Sequence, residues 1–291
     1  MTEKEKVARL SVISNTTLIV LKIGAGILSG SVSIISEAIH SSMDLIASLI
    51  ALFSVKTSDI PSDKEHPYGH GKVENVSGVI ESVLIFVAAV MIITEAIKRL
   101  INPGDIEAIA WGAGVMFIAA TANWLVSRQL YKVAHETDSI ALEADALHLK
   151  TDVYTSLGVA VGLSLIWITG ITFLDPVIAI GVAMLILRES FIMMKKAFNP
   201  LIDSAWEDNE YNRLLCILTE MHVSFHDLKT RKAGKYRFVE FHIEMPENTK
   251  LKAVHLFCDS IEDRLKSEFS NLEVMIHQEP TPINKKKKDI I

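Results

Sequence analysis

Two short segments repeat one pattern of cation-binding residues. Glu37-Ala38-Ile39-His40-Ser41-Ser42-Met43-Asp44 and Asp145-Ala146-Leu147-His148-Leu149-Lys150-Thr151-Asp152 both read acid, Ala, apolar, His, three residues, Asp. Residues four apart stack on one face of a helix, about 6 Å along the axis at ~1.5 Å per residue, so each segment turns an imidazole and a carboxylate the same way. Two such helices offer four ligands, His40, Asp44, His148 and Asp152, to a single ion. Nitrogen and oxygen donors in a four-coordinate set suit Zn²⁺ first and admit Co²⁺, Ni²⁺ and Fe²⁺. One isolated His-xxx-Asp in a soluble protein reads more simply as a cap or a core hydrogen bond. Here both copies lie in apolar surroundings, where an ionisable group costs ~2.5–3.5 kcal/mol and is kept for a substrate path.

The elements that must position these residues are membrane helices. The chain has 291 residues, of which 49% are hydrophobic, yet 22% are charged, which implies a membrane part joined to a soluble part. A net charge of −6 argues against nucleic acid as a partner. Apolar runs long enough to span a bilayer fall near 9–29, 33–55, 76–98, 106–130, 140–168 and 174–195. Six spans put both termini on one side. Loops on that side carry Lys4, Lys6, Arg9, Lys56, Lys64, Lys72, Arg128, Lys132, Lys195 and Lys196, against Lys98 and Arg99 opposite. The positive-inside rule then makes the termini cytoplasmic. The start, Met1-Thr2-Glu3-Lys4-Glu5-Lys6, is too charged for a cleaved signal peptide. Lys22 falls within the first span, where it either snorkels or meets an acid on a neighbouring helix.

The loop Asp63-Lys64-Glu65-His66-Pro67-Tyr68-Gly69-His70-Gly71-Lys72 holds a second candidate site, with Pro67 and two glycines forcing turns that must bring Asp63, His66 and His70 together. By spacing alone it reads equally as an exposed hydrophilic loop. After Asn199-Pro200 the composition becomes that of a small α/β domain, opening with a helix whose first turn is acidic, Glu207-Asp208-Asn209-Glu210. Leu214, Leu215, Leu218 and Met221 mark its apolar face. A strand is expected near 224–231 and a turn at Gly234. Val239, Phe241, Ile243 and Met245 alternate with Phe238, Glu240, His242 and Glu244 as a half-buried strand does. A helix with Val254, Phe257, Ile261 and Leu265 on one face and a strand near 272–278 complete it. Cys216 and Cys258 form no CxxC and read as reduced core residues. The domains are thus 1–200, a six-helix transmembrane domain, 201–282, a cytoplasmic metal-binding α/β domain, and 283–291, a basic disordered tail.

His40-xxx-Asp44, Asp63 with His66-Pro-Tyr-Gly-His70-Gly-Lys72, Asp145-Ala-Leu-His148-xxx-Asp152, His226-Asp-Leu-Lys-Thr-Arg231 and His277-Gln-Glu-Pro280 together resemble the cation diffusion facilitator family, close to its bacterial zinc transporters. The resemblance runs from the first span to about Pro282. It implies a homodimer with six transmembrane helices per protomer and a metallochaperone-like αββαβ cytoplasmic domain. It implies that His40, Asp44, His148 and Asp152 are the transport site, that Asp63, His66 and His70 form a loop site, and that His226, His242, His255, His277 and Glu279 hold two ions where two soluble domains meet. It also implies an ion pair between Lys72 and Asp203 joining the two domains. Three features depart from relatives. His40 stands where some have Asp, a difference that goes with zinc over cadmium. Glu279 stands where close relatives have Asp, and its extra methylene shifts the carboxylate. The segment 131–139 has no histidine-rich run of the vesicular kind, which favours a prokaryotic plasma membrane.

An imidazole binds either a proton or a metal ion near neutral pH, so the pattern predicts exchange of Zn²⁺ for protons across the bilayer, with Fe²⁺, Co²⁺, Ni²⁺ and Cd²⁺ as competing ions. The alternatives are a membrane-bound cytoplasmic metal sensor and a di-metal hydrolase. A sensor needs no buried intramembrane ligands. The chain has no HExxH and no base-plus-water constellation apart from the ligands, so no enzyme is expected.

Overall fold

The computed structural model describes residues 1–29, 32–101, 110–169 and 173–281. The chain divides into two compact units, Met1–Leu201 and a second beginning at Ile202. The expected tail 283–291 and the start of the fourth apolar run, 106–109, lie outside the described residues.

The first unit consists of six long helices: α1 (Glu3–Ser29), α2 (Val32–Ser58), α3 (Lys72–Ile101), α4 (Ala110–Thr137), α5 (Ile140–Thr169) and α6 (Leu174–Phe198). Among the described residues three segments, Glu3–Gly24, Lys72–Lys98 and Pro176–Ile202, are by themselves long and apolar enough to cross a bilayer. Among the other helices, α2 carries Asp44 and α5 carries Glu143, Asp145, Lys150 and Asp152, charges that interrupt the apolar run. The unit puts its polarity inside. Ser11, Asn15, Ser48, Ser82, Ser127 and Ser190 are buried, while Phe53, Met91 and Phe117 are 69%, 66% and 75% exposed. That distribution suits a lipid solvent, where small polar side chains pack helices together and large apolar ones face outward.

α3 packs on α6, α1 on α2 and α4 on α5, and α5 also meets α2, α3 and α6, so it is the central helix. Gly78 lets α3 approach its neighbours closely, because a Cβ there would stand 2.7 Å from Ile140 Cγ2 and 3.0 Å from Ala197 Cβ. Hydrogen bonds across helices fix the register: Ser127 Oγ to the Ala146 carbonyl at 2.7 Å, and Ser190 Oγ to the Ser82 carbonyl at 2.7 Å. One end of the bundle is tied by charge. The Glu74 carboxylate at the start of α3 accepts from Lys4 Nζ (2.7 Å), Ser58 Oγ (2.6 Å) and Ser139 Oγ, and Lys4 also lies 3.1 Å from Asp59. The starts of α1, α3 and α5 and the end of α2 therefore meet at one face, and the end of α3 lies at the other.

The second unit follows the short 3₁₀ turn Asn199–Ile202 with α7 (Asp208–Glu220), β1 (Phe225–Ala233), β2 (Tyr236–Met245), α8 (Leu251–Glu268) and β3 (Leu272–Pro280). The sheet order is β1-β2-β3, antiparallel between β1 and β2 and parallel between β2 and β3, with α8 as the crossover. Gly234 makes the hairpin turn at φ 57°, which suits a residue without Cβ. Leu214, Ile217, Leu218, Val239, Phe241, Ile243, Ile261 and Leu265 form one apolar core. Phe238, expected on the open face, is buried as well, because the Arg231 guanidinium covers its ring at 4.2 Å. Both cysteines are free, as expected, but only Cys258 is in the core. Cys216 is exposed on α7, where its Sγ donates to Glu220 Oε1 at 3.3 Å, because the apolar face of that helix is centred on Leu214, Ile217 and Leu218.

Candidate metal centres

Inside the helical unit Asp44, His148 and Asp152 converge. One ligand atom from each lies within 4.8 Å of the others, and His148 Nε2 is 3.1 Å from Asp44 Oδ1. Atoms about 2.0–2.1 Å from a tetrahedral ion stand roughly 3.3 Å apart, so side-chain shifts of about 1 Å close this set on Zn²⁺. His40 lies one turn before Asp44 on α2, and its side chain is outside the described residues.

The sequence pattern does not reveal the groups that hold these ligands, because they come from other helices. Asn123 Nδ2 of α4 donates to Asp152 Oδ2 at 3.3 Å, and Asn15 Nδ2 of α1 donates to the Asp44 carbonyl at 3.2 Å. Lys22 is buried and donates to Ser41 Oγ at 2.7 Å. All of these border a cavity of about 820 Å³ that runs from the three ligands to the exposed Glu95 and Lys98 near the end of α3, away from the face that Lys4 and Glu74 close. A group that orients a metal ligand is typically worth 10–100-fold in affinity, so Asn123→Ala should weaken Zn²⁺ binding by about 10-fold with the fold intact, as read by calorimetry on the purified protein.

In the loop, Asp63 Oδ1 is 3.5 Å from His66 Nδ1 and Asp63 Oδ2 is 3.6 Å from His70 Nε2, with the two imidazoles 4.3 Å apart. The His66 backbone N–H, 2.6 Å from Asp63 Oδ1, and that of Glu65 hold the Asp63 carboxyl below the usual carboxylate range, leaving an ionised ligand. Lys72 opens α3.

In the second unit His226 pairs with His242 across β1 and β2, and His242 with His277 across β2 and β3, so three imidazoles line up on one rung of the sheet. Glu279, two residues beyond His277 and on the same face, puts Oε1 3.0 Å from His242 Nδ1 and Oε2 3.3 Å from His226 Nε2. Its longer side chain reaches both histidines. His226, His242 and Glu279 form a three-ligand cluster, and His277 Nε2 is 3.7 Å from Glu279 Oε1. His255 is not in this cluster. It is 71% exposed on α8, with Nδ1 3.4 Å from Asp259. Asp227 and Glu244, not expected at the site, border it: Asp227 Oδ2 is 3.7 Å from His242 Nε2 and Glu244 Oε1 is 4.0 Å from His226 Nδ1. Glu244 was legible, two residues from His242. Asp227 was not, since an irregularity in β1 after His226, with Asp227 at φ 50°, turns it there. Lys229, 2.9 Å away, holds the Asp227 carboxyl below its ordinary range. Asp203 lies 3.7 Å from Arg231 within its own unit.

The donor sets and the polar interior of the helical unit agree with what comparison with known proteins finds. Residues 8–202 match the cation efflux transmembrane domain and residues 207–281 the cation efflux protein, cytoplasmic domain. An uncharacterized transporter, sll1263, of Synechocystis sp. is 35% identical over 89% of this chain and 85% of its own length. The cation-efflux pump FieF of Yersinia pestis is 32% identical over 91% of this chain and 89% of its own, as is FieF of Yersinia pseudotuberculosis. The chain therefore belongs to the cation diffusion facilitator family of membrane cation efflux transporters.

Proposed function

We propose that this protein exports Zn²⁺ from the cytoplasm in exchange for protons, as a homodimer in the plasma (inner) membrane. All six helices of the first unit span the bilayer in this reading, with both termini cytoplasmic. The observation that carries it is the convergence of Asp44, His148 and Asp152 at the inner end of a cavity within a lipid-facing bundle. His40, on the same helix as Asp44, is the fourth ligand. Imidazole and carboxylate replace the hydration shell of the ion, and each binds a proton when the ion leaves.

Asp63, His66 and His70 offer a second ion a place in the loop. His226, His242 and Glu279, joined by His277 and His255, hold regulatory zinc where two soluble domains meet. The chemistry of the donors fits, because imidazoles and ionised carboxylates are the ligands Zn²⁺ takes. Purified protein in sealed liposomes, given a pH gradient and Zn²⁺, Fe²⁺, Co²⁺, Ni²⁺ or Cd²⁺ in turn, tests the reading. Flux should be largest for Zn²⁺ and should follow the proton gradient, and no flux of any ion would leave the sensor alternative standing.

The family likeness also pairs Lys72 with Asp203. An exposed ion pair is worth only ~0–1 kcal/mol, so its proposed role is placement rather than stability. Lys72→Asp or Asp203→Lys alone should slow zinc flux, and the double exchange should restore much of it. Purely additive losses in this double-mutant cycle would show that the two act independently.

A further inference from the structure

Two buried acids of the helical unit take no part in the mechanism above. Glu81 on α3 and Asp145 on α5 are both 0% exposed. Glu81 Oε1 accepts from Ser77 Oγ at 3.0 Å, while Glu81 Oε2 and both Asp145 oxygens have no hydrogen-bond partner among the described residues. The Ser11 hydroxyl of α1 lies beside Asp145 without a well-formed hydrogen bond. Other acids nearby differ: buried Glu74 is met by Lys4, Ser58 and Ser139, and half-buried Glu143 by Lys196 Nζ at 2.7 Å.

The charged group that acts on Glu81 is Asp145, and those acting on Asp145 are His148 on its own helix and Asp44 on α2. The surrounding ammonium groups are engaged elsewhere: Lys4 with Glu74 and Asp59, Lys22 with Ser41, Lys150 over the Tyr131 and Tyr154 rings, and Lys196 with Glu143. An ionised carboxylate left unpaired in a low-dielectric interior takes up a proton or a cation, and two that repel one another do so more readily. With oxygen donors alone and no imidazole, the pair does not match the mixed nitrogen and oxygen set proposed for Zn²⁺ above.

Placement says what such a proton is for. Asp145 lies one helical turn, about 4.5 Å at ~1.5 Å per residue, from His148 on the side toward the start of α5. Neither acid lines the cavity that reaches Glu95 and Lys98. Both lie between the metal ligands and the face closed by Lys4 and Glu74.

We propose that Glu81 and Asp145 form a buried carboxyl pair that takes a proton from the Asp44, His148 and Asp152 site as the metal ion enters and relays it toward the face closed by Lys4 and Glu74. The inference rests on the antiport reading. When Zn²⁺ arrives, the N–H or O–H bond of a protonated ligand breaks and an O–H bond forms on the ionised member of the pair. That proton then leaves toward the face closed by Lys4 and Glu74, and when Zn²⁺ departs, protons arriving through the cavity re-form the bonds on the ligands, so the pair passes a proton inward each cycle and no electron changes hands.

The test uses the full-length protein as wild type, Glu81→Gln, Asp145→Asn and the conservative Glu81→Asp. In liposomes with a pH dye inside, Glu81→Gln and Asp145→Asn should lose the acceleration of zinc flux by a proton gradient and move fewer protons per Zn²⁺, while Glu81→Asp keeps both. Calorimetric Zn²⁺ affinity of Glu81→Gln should stay at the wild-type value. In the infrared, the C=O stretch of a protonated carboxyl should change when Zn²⁺ is added to wild type and be missing from the two amide variants. Wild-type proton counts and pH profiles in both variants would overturn the proposal. So would a zinc difference spectrum of wild type with no carboxyl band, which decides the matter even where the variants do not fold. A Mn²⁺ site lost in Glu81→Gln would make the pair a cation site and overturn it equally. Failure of wild type to pass zinc, with the infrared signal present, would remove the antiport reading and leave the proton pair.

Discussion

Replacing Asp152 by Ala is expected to lower zinc flux into sealed liposomes by on the order of 100-fold or more, a loss at or beyond the upper end of what removing a mere orienting group costs. Asp152 is one of three side chains whose ligand atoms fall within 4.8 Å, and its carboxylate is already aligned by Asn123. Without it, a doubly charged ion inside the bundle keeps a single carboxylate among the described ligands. The yield of folded protein should not fall, because Asp152 belongs to none of the apolar clusters that hold α5 to its neighbours. Flux near the wild-type rate would remove Asp152 from the transport site. A companion change, His40→Asp, should broaden acceptance toward Cd²⁺, and an unmoved metal preference would place selectivity elsewhere.

What the sequence showed of this site and what it hid follow from the range of the interactions involved. His148 and Asp152 are four residues apart on one helix, so helical periodicity alone aligns them. The supports of the site, Asn123 on the Asp152 carboxylate and Asn15 on the Asp44 carbonyl, depend on which helices cross and at what height, and no local pattern encodes that. The acid three residues before each histidine was visible as part of the repeat, but that Asp145 lacks a donor emerges only from the packing of α1, α3 and α5 around it. Glu37, its counterpart on α2, has a side chain outside the described residues.

Helix ends show the same division. Apolar runs placed the first helix from residue 9, yet α1 begins at Glu3, because Lys4 finds Glu74 and Asp59 across the bundle. The fourth run ended at 130, yet α4 continues to Thr137, with Val133 and Ala134 buried in one cluster with Leu142. In the second unit the alternation of β2 was plain, since period 2 is a local property. The bulge that brings Asp227 beside His242 was not, because a left-handed non-glycine residue leaves no mark in the pattern.

The second large effect is expected in the soluble unit expressed alone as residues 202–281, which encloses a core of its own. Zinc that binds the folded unit and not the unfolded chain stabilises it by about 2.7 kcal/mol at 100 times Kd. For a domain this small, that raises Tm by on the order of 10 °C or more. His242→Ala should remove the shift, because His242 lies between His226 and His277 on one rung and contacts Glu279. His255→Ala should leave binding of the first ion intact, since His255 stands apart from the cluster on α8, and should reduce only metal-driven pairing of two units. Acidification should weaken the effect in the wild-type unit, because protons and metal ions compete for the same imidazole nitrogens. A zinc-induced shift that survives His242→Ala and disappears in His255→Ala would move the regulatory site off the sheet and onto α8.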